Sequence, residues 1–338
     1  MRSVSRFFVA FFMLMGVGVV NADTALTHRK DVQVFMDELV KQHHFDKKQL
    51  TAILAQAQFQ PKIIESMERP YEKKTWDVYK SLFLTPQRVQ AGLVFWQNNR
   101  KALELAQQKF GVPANIIVAI IGVETLYGRN QGSYRVLDAL TTLAFDYPKR
   151  SEFFTKELKE YLLLCREHGV PATQYMGSYA GAMGKPQFMP SSYRFYAVNF
   201  SGRGKVDLMN EDKDVISSVA NYFHQHGWAL NQAVAQPAVV RGARYRHLAM
   251  NSKTPNYSYN QLISNGVRPA NYVSNHPGKA GVIELMTQQG EEYWFAYPNF
   301  YVITRYNSSP QYALVVYLLA QQLGSQWALA QRSGRAHV

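Results

Sequence analysis

The chain has 338 residues, with 37 Lys and Arg against 24 Asp and Glu, a formal net charge of +13 at pH 7. Such an excess favours an anionic partner (nucleic acid, a membrane surface or an acidic polymer such as cell wall), but the basic residues are scattered and form no recognition motif, which counts against nucleic acid. Cys165 is the only cysteine, so an intrachain disulfide is excluded.

In chain order, Arg2 and Arg6 precede the apolar run FFVAFFMLMGVGVV, which ends in small residues at Asn21-Ala22. This is the form of a secretory signal peptide over 1–22, too short for a comfortable membrane span. No cysteine lies near the cleavage point, so no lipid can be attached there. The expected mature chain is a periplasmic protein with no stable membrane insertion and a length sufficient for two or three lobes.

Residues 23–110 read as a helical lobe. Asp46 and Gln49 have capping-box spacing, and Leu50, Ile53, Leu54 and Ala57 form an apolar face. Thr85-Pro86 predicts the start of another helix, running to Gly111. His43 and His44 are adjacent, cannot share a helical face and are expected to face solvent.

The segment 111–236 is expected to be the core. From Ile116 to Val123 every residue is aliphatic or Ala except Gly122, and Glu124 follows at once. Pro113 suits a helix start and Gly128 a helix end. An acid closing such a buried helix loses hydration, which favours its protonated form and suits it to deliver a proton to a substrate oxygen. A perturbed acid in a purely structural network has the same appearance. Ser151 to His168 reads as a helix stopped by Gly169, with Phe154, Leu158, Tyr161 and Cys165 on one stripe, which makes Cys165 an apolar filler. Residues 172–200, interrupted by Gly177, Gly181, Gly184, Pro186 and Pro190, suit a loop that brings donors close to a ligand, or a structural turn. Asp212 or Asp214 is expected to cap the next helix. His224 and His226 are two apart, on different sides of that helix, and no third ligand accompanies them, so zinc is not expected.

After Pro237 the pattern changes. VVRGARYRHL, VIELMTQQGEEYWFAY and FYVITRY carry alternation with β-branched and aromatic residues, which predicts a small antiparallel lobe over 237–298, with QQGEE as a turn and 253–279 as connections. Residues 299–338 return to the core. Ser309-Pro310 starts a last helix, expected to stop at Gly324 before a frayed basic tail. The fold class is α+β, mainly α.

The stretches GVPANIIVAIIGVETLYGRNQGSYRVLDALTTLAFDYPKR, GSYAGAMGKPQFMPSSY, SVANYFHQHGW and PNFYVITRYN resemble the membrane-bound lytic murein transglycosylase B family over nearly the whole mature chain. The resemblance implies a lysozyme-like core flanked by the helical lobe and the β lobe. It implies cleavage of the MurNAc–β-1,4–GlcNAc bond of peptidoglycan with a 1,6-anhydro product, Glu124 serving first as acid and then as base, with no cofactor. A hydrolytic muramidase and a non-catalytic peptidoglycan-binding scaffold are the alternatives. By motif position, Ser178 and Gln187 resemble residues that hold the sugar near the acid. Tyr222, Tyr306 and Asn307 resemble a groove wall, with Tyr312 and Tyr79 as further contacts, and Lys149 and Arg150 resemble a basic pair facing stem-peptide carboxylates. The implied partners are glycan strands and the cell-wall enzymes or envelope complexes that act with them.

Two departures stand out. Lys185-Pro186 replaces a smaller, Gly-containing pair. The loop Asn199–Asp214 matches one that carries calcium in such relatives, yet Asn199, Ser201, Arg203 and Lys205 occupy its first, third, fifth and seventh positions. Arg203 puts a fixed positive charge where an anionic oxygen is wanted. No metal is therefore expected, and Asp207 and Asp214 are expected to pair with Arg203 and Lys205 instead.

Overall fold

The computed structural model describes residues 26–69, 74–271 and 278–334; the expected signal peptide lies outside the described residues. The chain divides into two compact units, one ending at Ala57 and one starting at Gln58.

In the first unit, α1 (Lys30–His43) and α2 (Lys47–Leu54) pack together through buried Val32, Phe35, Met36, Leu39, Leu50 and Leu54. His44 turns left-handed and returns its N–H to the Leu39 carbonyl, which ends α1. Asp46 accepts the Gln49 N–H at 2.8 Å, so α2 starts where the sequence spacing places it.

The second unit opens with α3 (Pro61–Met67) and α4 (Trp76–Phe83). Thr85 caps α5 (Pro86–Asn98) by accepting the Arg88 N–H. The single helix expected from Thr85 to Gly111 is two: Asn99 leaves helical geometry at φ −112° and ψ 15°, and α6 (Arg100–Phe110) follows it. The Asn99 side-chain amide donates to the Phe95 carbonyl and to Asp212, and a side chain bonded in this way competes with the helix ladder.

Next comes α7 (Ala114–Thr125), in which every residue from Ile116 to Val123 is buried, as its composition predicts. It stops before Gly128, because Leu126 and Tyr127 turn left-handed at φ 50° and 60°. Non-glycine residues seldom adopt that backbone, and here the Tyr127 ring explains it. The ring fills the space that Gly92 of α5 and Gly122 of α7 leave open; a Cβ at either would lie 2.3 or 2.5 Å from its hydroxyl.

The two-residue strand β1 (Tyr134–Arg135) leads into α8 (Val136–Asp146), a 3-10 turn at Pro148–Arg150 and α9 (Ser151–His168). Strand β2 (Met176–Gly177) then returns to pair antiparallel with β1. Gly169 ends α9, and Cys165 is buried within it with its thiol pushed up to about 12 by burial, consistent with a filler. After α10 (Pro190–Tyr196), α11 (Asp212–Gln225) packs against α7. Neither Asp212 nor Asp214 caps α11; Glu211 occupies that place without a side-chain bond. Both aspartates lie in the first helical turn, and their carboxylates are drawn to tertiary partners instead.

The β lobe comprises β3 (Ala235–Val240), β4 (Tyr257–Ser258), α12 (Tyr259–Ser264), β5 (Val267–Pro269), β6 (Lys279–Thr287) and β7 (Gly290–Ala296). The sheet order is β4-β6-β7-β3-β5, with each neighbouring pair antiparallel. Thr287 pairs with Gly290 across the turn that QQGEE predicts. Leu262, Val267, Ala280, Val282, Phe295 and Tyr297 form the lobe's own core.

Three expectations fail here. The connecting stretch 253–279 contains α12, whose Ser258 and Gln261 form a full capping box. In VVRGARYRHL only Val239 and Val240 are strand, and Arg244–His247 is a 3-10 turn. FYVITRY is helical, within α13 (Pro298–Tyr306): Pro298 at its first turn and the buried Asn299, Phe300 and Ile303 set a helical period that overrides β propensity.

Last, α14 (Pro310–Arg332) starts at the Ser309 cap and packs along α7. It runs through Gly324 instead of stopping there. A Cβ at Gly324 would sit 3.3 Å from the Asn115 side chain, so this glycine permits close helix contact, and Trp327 beyond it stacks on Trp96 at 4.8 Å.

Candidate active site

Glu124 lies in the last turn of α7, half-buried, where the apolar helix meets solvent. Its Oε1 accepts a short hydrogen bond from the hydroxyl of Tyr312, in the first turn of α14. Tyr306, at the end of α13, donates its hydroxyl to the Pro186 carbonyl. Burial first, then the nearby Glu124 charge, holds the phenols of Tyr312 and Tyr306 well above their ordinary range, so both remain donors. Tyr79 of α4 is buried beside Tyr312 and Phe83. Two consecutive helices far along the chain from α7 thus bring Tyr306 and Tyr312 to the acid, with Tyr79 of α4 beside Tyr312.

The loop 177–189 carries the expected Ser178 and Gln187. Ser178 Oγ accepts the N–H groups of Ala180 and Ala182 at 3.2 and 3.1 Å, which folds the loop back on itself. Gln187 sits at φ 51°, and its amide donates to the Gln131 and Gly184 carbonyls at 3.1 and 2.9 Å. The loop is fastened to the acid's own turn by Thr125, whose Oγ1 donates to the Lys185 carbonyl at 2.7 Å and accepts the Gly128 N–H at 2.9 Å. Lys185 then reaches the Asn210 carbonyl and Asp212. The departure at Lys185-Pro186 therefore adds an ion-paired brace from this loop to the start of α11.

Arg88 supports the acid from behind. Its guanidinium donates to the Gly122 carbonyl at 3.1 Å and to the Leu82 and Phe83 carbonyls at 2.8 and 2.9 Å, joining the end of α7 to that of α4. Nothing in the sequence marks Arg88, because its partners are carbonyls exposed only by the fold. Thr125 is more legible, since it directly follows Glu124.

The other expected site residues divide. Asn307 accepts the Ser309 N–H at 3.0 Å and shapes the turn between α13 and α14. Tyr222 is buried with its hydroxyl on the Arg305 carbonyl at 2.6 Å, and its ring stacks on His226 and meets Tyr306, so it backs the groove residues from inside. Lys149 and Arg150 are not brought to the acid's tyrosines. They lie beyond the far end of α8, where Lys149 pairs with Glu68 at 2.8 Å and Arg150 covers Phe153 and Phe154. Of the acids on the following helix, buried Asp138 is occupied by two bonds from Arg135 and the Gln58 N–H.

The loop Asn199–Asp214 is braced differently from the expected pairing. Asp214 is fully buried and accepts the N–H groups of Phe200, Ser201 and Asp207 at 2.8, 2.7 and 3.0 Å. Asp207 accepts the N–H groups of Met209 and Asn210. Arg203 instead lies 4.0 Å from Glu211, and Lys205 reaches the Glu167 carbonyl. Backbone N–H groups outcompete the long basic side chains because they lie within the same tight turns. The donor set does not fit calcium: the buried carboxylate is turned to amides, and the fifth position carries a cation. Among the described residues no group of three or more His, Cys, Asp or Glu could hold a metal.

Residues 27–321 match the family model described as transglycosylase SLT domain. The chain is 43% identical over 311 residues to the membrane-bound lytic murein transglycosylase B of Escherichia coli (strain K12), covering 89% of this chain and 83% of that one. Among solved structures, the catenated lytic transglycosylase SltB1 from Pseudomonas aeruginosa superposes with a TM-score of 0.82 at 42% identity, covering 88% of this chain and 98% of that one. SltB3 from the same organism, in complex with NAG-anhNAM-pentapeptide, gives 0.75 at 28% identity over 86% and 78%. With a family model spanning most of its length and this identity to a curated relative, the chain belongs to the SLT-domain lytic murein transglycosylases.

Proposed function

We propose that the protein cleaves the MurNAc–β-1,4–GlcNAc bond of peptidoglycan with Glu124 as its single catalytic carboxyl. The observation that carries this reading is the arrangement at Glu124: one acid at the end of a buried helix, held by Tyr312, while Asp138 is occupied by Arg135 and a backbone amide. A two-carboxylate glycosidase needs a second acid close by, whereas the intramolecular route needs one.

The protonated Glu124 gives its proton to the glycosidic oxygen, and the C1–O bond of MurNAc breaks. The C6 hydroxyl of the same MurNAc then attacks C1 and passes its proton to the Glu124 carboxylate. The ring closes as 1,6-anhydro-MurNAc, the acid is regenerated, and no water is consumed. The N-acetyl group of the substrate can stabilise positive charge at C1 before closure. Ser178 and Gln187 hold the loop that faces the sugar, and Tyr306, Asn307, Tyr312 and Tyr79 supply the wall on which it rests. Tyr222 keeps Tyr306 and the Arg305 carbonyl in place from behind. Lys149 and Arg150 remain candidates for stem contacts only at a distance from the acid, with Lys149 first having to release Glu68.

The relatives in this family act in the cell envelope, and the basic charge of the chain suits an acidic wall polymer. A soluble periplasmic enzyme, released by cleavage after Ala22, fits the leader-like first residues, and no single described helix is long and apolar enough to cross a membrane. The test is Glu124→Gln assayed on purified sacculi. The amide keeps the shape but carries no proton, so turnover is expected to fall by roughly 10²–10⁴-fold or more while glycan binding is retained. Turnover near the wild-type rate would remove Glu124 from its role.

A further inference from the structure

The junction between the β lobe and the turn from α13 to α14 holds a cavity of about 300 Å³ that the catalytic scheme does not use. Ile283, Phe300 and Pro310 give it an apolar floor, and Lys253 and Arg305 bring two cations to it. No acidic side chain lines it. Its other polar groups are mostly committed: Ser252 donates to the Thr254 carbonyl, Thr304 to the Tyr301 carbonyl, and Asn251 to the Glu284 carbonyl.

Lys253 and Arg305 differ from Lys185 and Lys149 in their pairing. Lys185 is paired with Asp212 and Lys149 with Glu68, whereas neither Lys253 nor Arg305 has an ion-pair partner among the described residues. Two cations at one concave surface without a counter-charge repel each other, and an anion would relieve that. A guanidinium presents a planar fork that matches a carboxylate, and an ammonium adds a second point charge. The apolar floor would take the aliphatic part of the molecule that carries the carboxylate.

The position limits what that molecule is. Arg305 directly precedes Tyr306 and Asn307, and Pro310 lies two residues before Tyr312, which bonds Glu124. Consecutive Cα atoms lie about 3.8 Å apart, so the backbone lining this cavity is within about 10 Å of that of Tyr306, Asn307 and Tyr312, a span that the peptide stem of a sugar at the tyrosine wall can bridge. We propose that Lys253 and Arg305 form a subsite for a carboxylate of the peptide stem borne by the bound glycan strand. The subsite makes the enzyme prefer strands that carry acidic stems. This rests on the proposed peptidoglycan-cleaving function.

The experiment compares the wild-type protein with the Lys253→Gln/Arg305→Gln double variant on three substrates. These are glycan strands with their stems, the same strands stripped of stems by an amidase, and strands whose stem carboxylates are amidated. The double variant is expected to lose roughly tenfold in kcat/KM on stem-bearing strands, mainly through KM, as for the loss of charge-assisted bonds. On stripped and amidated strands it should stay within about twofold of wild type. Arg305→Lys, which keeps the charge but not the fork, should recover part of the loss. Both side chains are exposed, and a melting curve checks the fold; if the double variant fails to fold, the single variants give the same comparison. An equal loss on all three substrates, or no loss on any, overturns the subsite. Failure of the wild-type protein to cleave any of the three would instead overturn the proposed function.

Discussion

At the scale of single residues, the pair Glu124–Tyr312 controls what the acid can do. Tyr312 is buried and its phenol is held protonated by burial and by the carboxylate itself, so its hydroxyl is a standing donor that orients Glu124. Removing the hydroxyl as Tyr312→Phe keeps the ring and its packing but leaves Oε1 without that donor. A hydrogen bond to a charged group contributes about 1.5–3 kcal/mol. The variant should therefore lose roughly ten- to a hundredfold in kcat with KM little changed, read from initial rates on soluble glycan strands. A loss confined to KM would make Tyr312 a sugar contact alone. Glu124 was legible in the sequence because an acid at the end of an unbroken apolar helix is conspicuous. Arg88 and Tyr127 were not, because each acts on groups that only the fold brings near: backbone carbonyls from two helices for Arg88, and the gap at Gly92 and Gly122 for Tyr127.

At the scale of elements, the loop before α11 shows how a segment can be ordered by its own carboxylate. Asp214 is fully buried and accepts three backbone N–H groups from the loop, while Lys185 links the 177–189 loop to Asp212 two residues earlier. Asp214→Ala leaves those three donors unsatisfied and should cost at least about 3 kcal/mol of stability. The wild-type melting temperature should respond to neither chelator nor millimolar calcium. A clear rise with calcium that Asp214→Ala abolishes would contradict this. The sequence spacing puts Arg203 where a calcium loop wants an oxygen, but the actual partners of Asp214 were hidden, because backbone amides leave no mark in a residue pattern. The same limit applied to FYVITRY, whose alternation is equally compatible with a strand and with the buried face of α13. The Asp46 cap predicts its helix directly, whereas the capping box at Ser258 and Gln261 is hidden in a stretch whose Asn, Ser and Pro content reads as a connection.

At the scale of the whole molecule, one acid, a wall of tyrosines and a net positive charge together favour an enzyme that holds an anionic glycan and returns its own proton. The α7 helix places Glu124, α13 and α14 bring Tyr306 and Tyr312 to it, and the 177–189 loop is tied to the same turn through Thr125. The central claim is that the C6 hydroxyl of the substrate, and not water, completes the reaction. The most direct measurement is complete digestion of purified sacculi by the mature protein, with the muropeptide ends identified by mass. The account predicts 1,6-anhydro-MurNAc ends, lighter by one water than the hydrolytic product. Reducing MurNAc ends as the main product would contradict it and make the protein a muramidase.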